Sequence, residues 1–318
     1  MRLGPTLAAS LLAMLLAIPS TLAALEPPGT ALRIDRSRDG LPVLAVELGG
    51  ETLRAILDTG TTRSMIAAGA AERLGLVARA RFEIATATGP VRHALCAGPL
   101  AVRLAGLEVA VDCLGWVPGE ARLAGAPDVD LLLGADALGS VALWLDLASG
   151  RARVAAAGAL ASWVRGERLA AERIEGRPAV AATLAGSTLR LVLDSGADAP
   201  LVFGAAARTA SAAYRGPRRS ARLETAAGSV TREAFEVGSV RLGRTRAEGG
   251  WGLLLPEVAD RREDGLLPLA ALGPVLLDLS SGVVVVGARL RSRPDPMAAP
   301  TAAGAAGAAG VLASLDRP

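Results

Sequence analysis

The sequence predicts a mainly β protein made of two tandem copies of one unit, related by a pseudo-twofold axis and carrying only short helices. Three observations lead there. The stretch Ala55-Ile56-Leu57-Asp58-Thr59-Gly60-Thr61 returns 136 residues later as Leu191-Val192-Leu193-Asp194-Ser195-Gly196-Ala197: an apolar run, Asp, a small hydroxyl residue, Gly. The likeness extends upstream. Pro42–Gly60 slides onto Pro178–Gly196 without a gap and is identical at ten of nineteen positions, Leu53/Leu189, Arg54/Arg190 and Leu57/Leu193 among them. Later features then keep their order. Gly89 matches Gly228, Asp130-Leu131-Leu132-Leu133 matches Asp264-Gly265-Leu266-Leu267, and Leu145–Gly150 matches Leu277–Gly282. A repeat of this length is sought first, because missing one misreads the whole fold.

Taken in order, the chain opens on a targeting segment, residues 1–24. Arg2 supplies a positive start, Leu7 to Ile18 an apolar run, and Thr21-Leu22-Ala23 or Leu22-Ala23-Ala24 small residues for cleavage. The run is short for a membrane span, so the mature protein is expected in the periplasm or the medium, without stable membrane insertion. The first half is expected over 25–157. Residues 25–40 read as a polar lead-in. Pro42–Leu48 and Thr52–Leu57 read as strands around the turn signal Gly49-Gly50. Met65 to Leu74 has helical spacing and stops at Gly75. Glu83–Leu95 reads as a hairpin tipped by Thr88-Gly89, and Val141–Leu147 with Ala152–Val154 as the hairpin that closes the half. A linker is expected over 158–168 and the second half over 169–290, with its own hairpin Leu223–Phe235 tipped by Ala227-Gly228. Residues 291–318 are rich in Ala, Gly and Pro and are expected to be a disordered tail.

Composition narrows the function. Half of the 318 residues are apolar, enough for two cores, but aromatics are only 3%, so the cores must use Leu, Val, Ile and Ala. The net charge is +3 and the arginines are scattered. A nucleic-acid binder would show a basic stripe with stacking aromatics, so no nucleic-acid partner is expected. One histidine, His93, and two cysteines, Cys96 and Cys113, do not make a structural zinc site, which takes four N or S ligands. Export favours oxidation, so the two cysteines are candidates for a disulfide if the geometry brings them together.

An acid at the end of a buried strand is costly unless something uses it. Two in matching contexts point to carboxylates brought together for chemistry. The pattern of apolar-apolar-Asp-Thr/Ser-Gly, a Gly-tipped hairpin about 30 residues later, then an apolar-apolar-Gly run resembles the aspartic proteases. Leu193-Asp194-Ser195-Gly196-Ala197-Asp198 is similar to the retropepsin-like half in particular, and two halves in one chain resemble the arrangement of pepsin, as in bacterial aspartyl proteases. The likeness covers about residues 32–290. It implies two retropepsin-like (acid protease) β-barrel halves and an aspartic endopeptidase in which Asp58 and Asp194 share one water. It further implies that the hydroxyls of Thr59 and Ser195 lock the two turns, that Gly60 and Gly196 let them approach, and that Thr61 and Ala197 complete them. The two hairpins become flaps over an extended substrate, with Thr88, Gly89, Ala227 and Gly228 at their tips. No cofactor is implied, the partner is a peptide or protein substrate, and the chain is a monomer containing its own pseudo-dimer.

The chemistry is sound on its own terms. Two carboxyls about 3 Å apart do not ionise together easily; at an effective dielectric near 20 their repulsion is roughly 5 kcal/mol. The pair holds one proton over a wide pH range and so offers a base and an acid at once, with apparent pKa values that belong to the pair. One departure stands out: Leu132-Leu133-Gly134 becomes Leu266-Leu267-Pro268, and Pro has no N–H, so the support beneath Asp194 is expected to differ. Asp130, Asp264, Asp146 and Asp278 read as structural, His93 as a surface residue of the flap. Two other readings remain open: a weak or inactive relative that binds extended peptides, and an exported structural or adaptor protein.

Overall fold

The two apolar runs become central strands, Glu51–Leu57 and Ser187–Asp194. A strand covered on both faces has no solvent side to alternate toward, which is why each run is apolar without a break. Each pairs antiparallel with the strand before it, Pro42–Leu48 or Arg177–Leu184. In the first half the connection uses Gly49 and Gly50, both at positive φ (60° and 85°), the conformation that a two-residue hairpin of this hand demands. On its other side each central strand pairs in parallel with a strand from much later in the chain. Leu133 stands beside Leu57, and Leu267 beside Leu193. Those late strands, Leu131–Leu133 and Gly265–Pro268, pair antiparallel with Met65–Ile66 and Leu201–Phe203. In both halves, therefore, one late strand runs between the strand that enters the Asp turn and the strand that leaves it.

The computed structural model describes residues 26–292 except 39, 85–91, 120–122, 124–125, 185, 226–227 and 257–260. The expected targeting segment and nearly all of the tail lie outside the described residues. Among the described residues no helix is long and apolar enough to cross a membrane. The chain is mainly β, with two curled sheets of matching topology and few short helices, the architecture expected of two tandem barrel-like halves.

Asp130 and Asp264 hold the central strands in register. The Asp130 carboxylate accepts from the Arg54 N–H (3.2 Å) and the Asp264 carboxylate from the Arg190 N–H (2.8 Å). Their own N–H groups donate back to the Arg54 and Arg190 carbonyls at 3.0 and 2.8 Å. Asp146 and Asp278 stabilise the turns that follow them: Asp146 accepts from the Ser149 hydroxyl at 2.5 Å, and Asp278, fully buried, accepts from the Ser280 hydroxyl at 3.1 Å and also, outside that turn, from the N–H of Gly158 at 2.7 Å.

A third sheet joins the halves. It has six strands in the order Thr30–Arg33, Arg151–Ala156, Val141–Asp146, Val275–Asp278, Val283–Leu290, Val164–Leu169. The seam is antiparallel, with Leu143 opposite Leu277 and Trp144 opposite Leu276. Trp144 is buried on this sheet, and its indole N–H donates to the Ala288 carbonyl at 2.6 Å. Three local expectations change here. Residues 158–168 are not a bare linker: Ala161–Trp163 is a 3-10 turn and Val164–Leu169 is an edge strand of the joining sheet. The polar lead-in holds two strands, Thr30–Arg33 and Asp35–Arg36. The helical run starting at Met65 begins as strand Met65–Ile66, required by its pairing with Leu132, and turns helical only over Ala68–Arg73.

Candidate active site

Asp58 sits just past the end of Glu51–Leu57, with its N–H donating to the Leu133 carbonyl at 3.0 Å. Its carboxylate accepts from the Gly60 N–H (3.0 Å) and the Thr61 hydroxyl (2.8 Å). Asp194 ends Ser187–Asp194, and its carboxylate accepts from the Gly196 N–H at 2.7 Å. The two turns face each other across the pseudo-twofold and interlock through four hydrogen bonds. The Thr59 hydroxyl donates to the Leu193 carbonyl (2.7 Å) and accepts from the Ser195 N–H (3.1 Å). The Ser195 hydroxyl donates to the Leu57 carbonyl (2.7 Å) and accepts from the Thr59 N–H (3.1 Å). Both hydroxyl residues are buried, so these bonds are not traded against water.

The glycines allow that approach. A Cβ on Gly60 would lie 2.3 Å from Cγ of Asp194, and one on Gly196 would lie 2.9 Å from Cγ of Asp58. Neither distance is compatible with an undisturbed carboxyl, so no other residue fits between the turns. Each carboxyl is thereby set against the opposite turn, close enough to the other for each to shift its partner's ionisation.

Their environments differ. Burial pushes the Asp58 carboxyl above its ordinary range, while the Thr61 hydroxyl and the Gly60 N–H pull it back down. Asp194 is pushed well above the ordinary range, first by burial and then by the charge of Asp58. Ala197 stands where Thr61 stands in the other turn and brings no hydroxyl. The pair is therefore biased toward holding one proton, and the Thr61 hydroxyl, which has no counterpart at Ala197, makes Asp58 the easier of the two to ionise.

The support beneath the turns is unequal as well. In the first half Gly134 donates its N–H to the Ser64 hydroxyl (3.1 Å), and Ser64 in turn donates to Asp136 (2.7 Å). In the second half Pro268 has no N–H to donate. The residue in the place of Ser64 is Pro200, which has no hydroxyl to accept. Donor and acceptor are lost together, so no buried group is orphaned, the case in which removing a hydrogen bond costs least. The strand runs on into a 3-10 turn, Leu269–Leu272, where the first half has a short helix, Ala135–Leu138.

The flaps are described at their bases. Ala80–Ile84 pairs with Arg92–Ala97, and Arg218–Thr225 with the long strand Gly228–Leu242. Thr88, Gly89 and Ala227 lie outside the described residues; Gly228 opens the return strand opposite Thr225. His93 is exposed on the first flap, 3.9 Å from Glu83. Cys96, on the return strand of that flap, is disulfide-bonded to Cys113. Asp198 is exposed on the turn after Asp194 and forms no ion pair with an arginine among the described residues. No group of three or more His, Cys, Asp or Glu side chains among the described residues is placed to hold a metal ion.

One arrangement beside the site had no clear sequence signal. Arg177 and Glu263 form a buried, two-pronged ion pair (3.0 and 3.1 Å), and Arg177 also lies 3.4 Å from the Gly60 carbonyl of the opposite turn. Arg261 shares Glu263 and lies over the ring of Phe203 at 4.2 Å. The only hint was that Arg177 replaces Leu41 in an otherwise apolar repeat position.

The family model for aspartyl protease matches this chain twice, over residues 44–137 and 180–269, which together make up more than half of its length. No curated protein matches it. The two matched segments carry the two interlocked Asp turns, one in each, and the chain belongs to the aspartyl protease family.

Proposed function

We propose that the protein is an exported aspartic endopeptidase in which a water held by Asp58 and Asp194 attacks the scissile peptide carbonyl. The observation that carries this reading is the pair of buried carboxyls facing each other at the interlocked turns, both pushed up by burial and Asp194 further by the charge of Asp58. Asp58 takes a proton from the water as its oxygen bonds to the carbonyl carbon. Asp194 gives its proton to the carbonyl oxygen, and a neutral gem-diol results. Collapse of the diol breaks the C–N bond; the amine leaves with the proton that Asp58 took, and Asp194 recovers its own from a diol hydroxyl. The pair thus ends as it began, as general acid–base catalysis requires.

The rest of the reading follows from the chain itself. Both turns belong to one chain, so the monomer is the active unit. The flaps supply strand edges that an extended peptide can pair with. The Leu7–Ile18 run and the disulfide favour an oxidising compartment outside the cytoplasm. Incubation of the mature protein with an unfolded protein substrate tests the activity. Fragments should appear, and a statine-type peptide that mimics the diol should suppress them. Tight binding of that peptide by a protein that releases no fragments would instead identify an inactive relative.

A further inference from the structure

The second flap carries two arginines on its cleft side that have no carboxylate partner among the described residues. Residues two apart on a strand share a face, so Val192 lies on the Asp194 side of its sheet. Val192 packs with Phe203, Ala234 and Leu253, and the flap residues Ala221 and Leu223 cover them. Arg219 alternates with Ala221 and shares that face. So does Arg232, which stands opposite Ala221 in the ladder.

Arg219 lies over the ring of Trp251, 3.9 Å from its centroid; Arg232 donates from Nη1 to the Thr231 carbonyl at 2.9 Å and buries its Nε without a hydrogen-bond partner. The outer face of the same flap is treated differently: there Arg218 is neutralised by Glu233 at 2.6 Å. Among the described residues neither Arg219 nor Arg232 forms an ion pair, and Glu236, further along the same face, pairs with neither. In the first flap the corresponding ladder positions are Ala80 and Ala94. The first flap therefore carries alanines where the second sets two arginines on an apolar wall, while on the first side Arg63 lies over the Phe82 ring at 5.2 Å.

A guanidinium stacked on an aromatic ring keeps the N–H groups at its edge directed outward, where a carboxylate can accept them, and Arg232 retains donors beyond the one it gives to Thr231; charge-assisted bonds of that kind are the stronger ones. We infer that Arg219 and Arg232 form a specificity site for an acidic residue, Asp or Glu, of the bound peptide, on the second-half side of the dyad. The inference rests on the peptidase reading only in that the ligand is an extended peptide.

Two peptide sets test it, identical except for Glu or Gln at each position flanking a central Leu–Leu pair. Cleavage is read as kcat/KM, and binding is read separately as fluorescence anisotropy with the Asp58→Asn protein. At one position Glu should exceed Gln by roughly tenfold, the effect of one charged hydrogen bond, and salt should reduce the ratio. In Arg219→Ala/Arg232→Ala, which installs the residues of the first flap, the ratio should fall to about one, as expected when charge-assisted bonds are lost. Equal Glu and Gln peptides in the wild-type protein, a comparison that needs no variant, overturn the inference. So does a Glu preference that survives in the double variant. A Glu preference in binding with no cleavage of any peptide supports the site and removes the peptidase reading instead.

Discussion

Replacing Thr59 by Val tests the interlock that sets the carboxyl pair. The change keeps the shape of the side chain and removes only the hydroxyl, so no cavity forms. It takes the donor from the Leu193 carbonyl and the acceptor from the Ser195 N–H. Both groups are buried, and each unsatisfied buried group costs about 1–3 kcal/mol. The expected loss is therefore about 2–6 kcal/mol, out of a total stability of about 5–15 kcal/mol for a typical protein. Thr59→Ser keeps the hydroxyl, and Ser195 already makes the same bonds in the second turn, so its cost should stay below about 1 kcal/mol. Urea denaturation followed by near-ultraviolet circular dichroism measures both, and peptide hydrolysis should fall in kcat more than it changes in KM, because the turns position reacting groups. An unchanged urea midpoint for Thr59→Val, or an equal loss for Thr59→Ser, would refute the reasoning.

Three further outcomes follow from the same geometry. Thr61→Ala removes the hydroxyl that favours ionised Asp58, so the acid limb of the pH–rate profile should move to higher pH; Ala197→Thr adds one beside Asp194 and should move the alkaline limb to lower pH. Gly60→Ala places a Cβ 2.3 Å from Cγ of Asp194, and displacing reacting groups on the ångström scale costs about a hundredfold in rate, which initial rates on a folded variant will read. Asp194 is pushed up in the folded state by burial and by Asp58, so above the unfolded pKa the folded chain binds more protons than the unfolded one and stability falls as pH rises through that window. Asp194→Asn should then be more stable than wild type at neutral pH, with the difference vanishing in acid, as thermal denaturation at a series of pH values can establish.

The parts of the fold carried by local pattern were legible in the sequence. Repeated Asp-Thr/Ser-Gly turns, continuous apolar runs and the Gly49-Gly50 hairpin each record what a residue needs from its immediate surroundings. What stayed hidden was long-range pairing. Val141–Asp146 and Arg151–Ala156 do form the hairpin that closes the first half, but nothing in them says that Leu143 will also face Leu277 across the joining sheet. For the same reason Val164–Leu169 read as a linker: its alternating pattern, Arg165, Glu167 and the rest, is that of a half-exposed edge, which resembles a polar loop. The meaning of Pro268 was half visible. The missing N–H could be read from the residue, whereas the matching loss of the Ser64 hydroxyl at Pro200 required the alignment of both halves in space. Arg177 and Glu263 lie 86 residues apart, and a buried ion pair leaves no periodic trace of its own.

The central claim is that Asp58 and Asp194 act as one catalytic unit. Its most direct test is peptide hydrolysis by the mature wild-type protein, by Asp58→Asn and by Asp194→Asn, each verified as folded by circular dichroism. The wild-type protein should cleave, and both single variants should lose activity to about the same floor, since groups that act as a unit are not additive. Either variant cleaving at the wild-type rate would contradict the account.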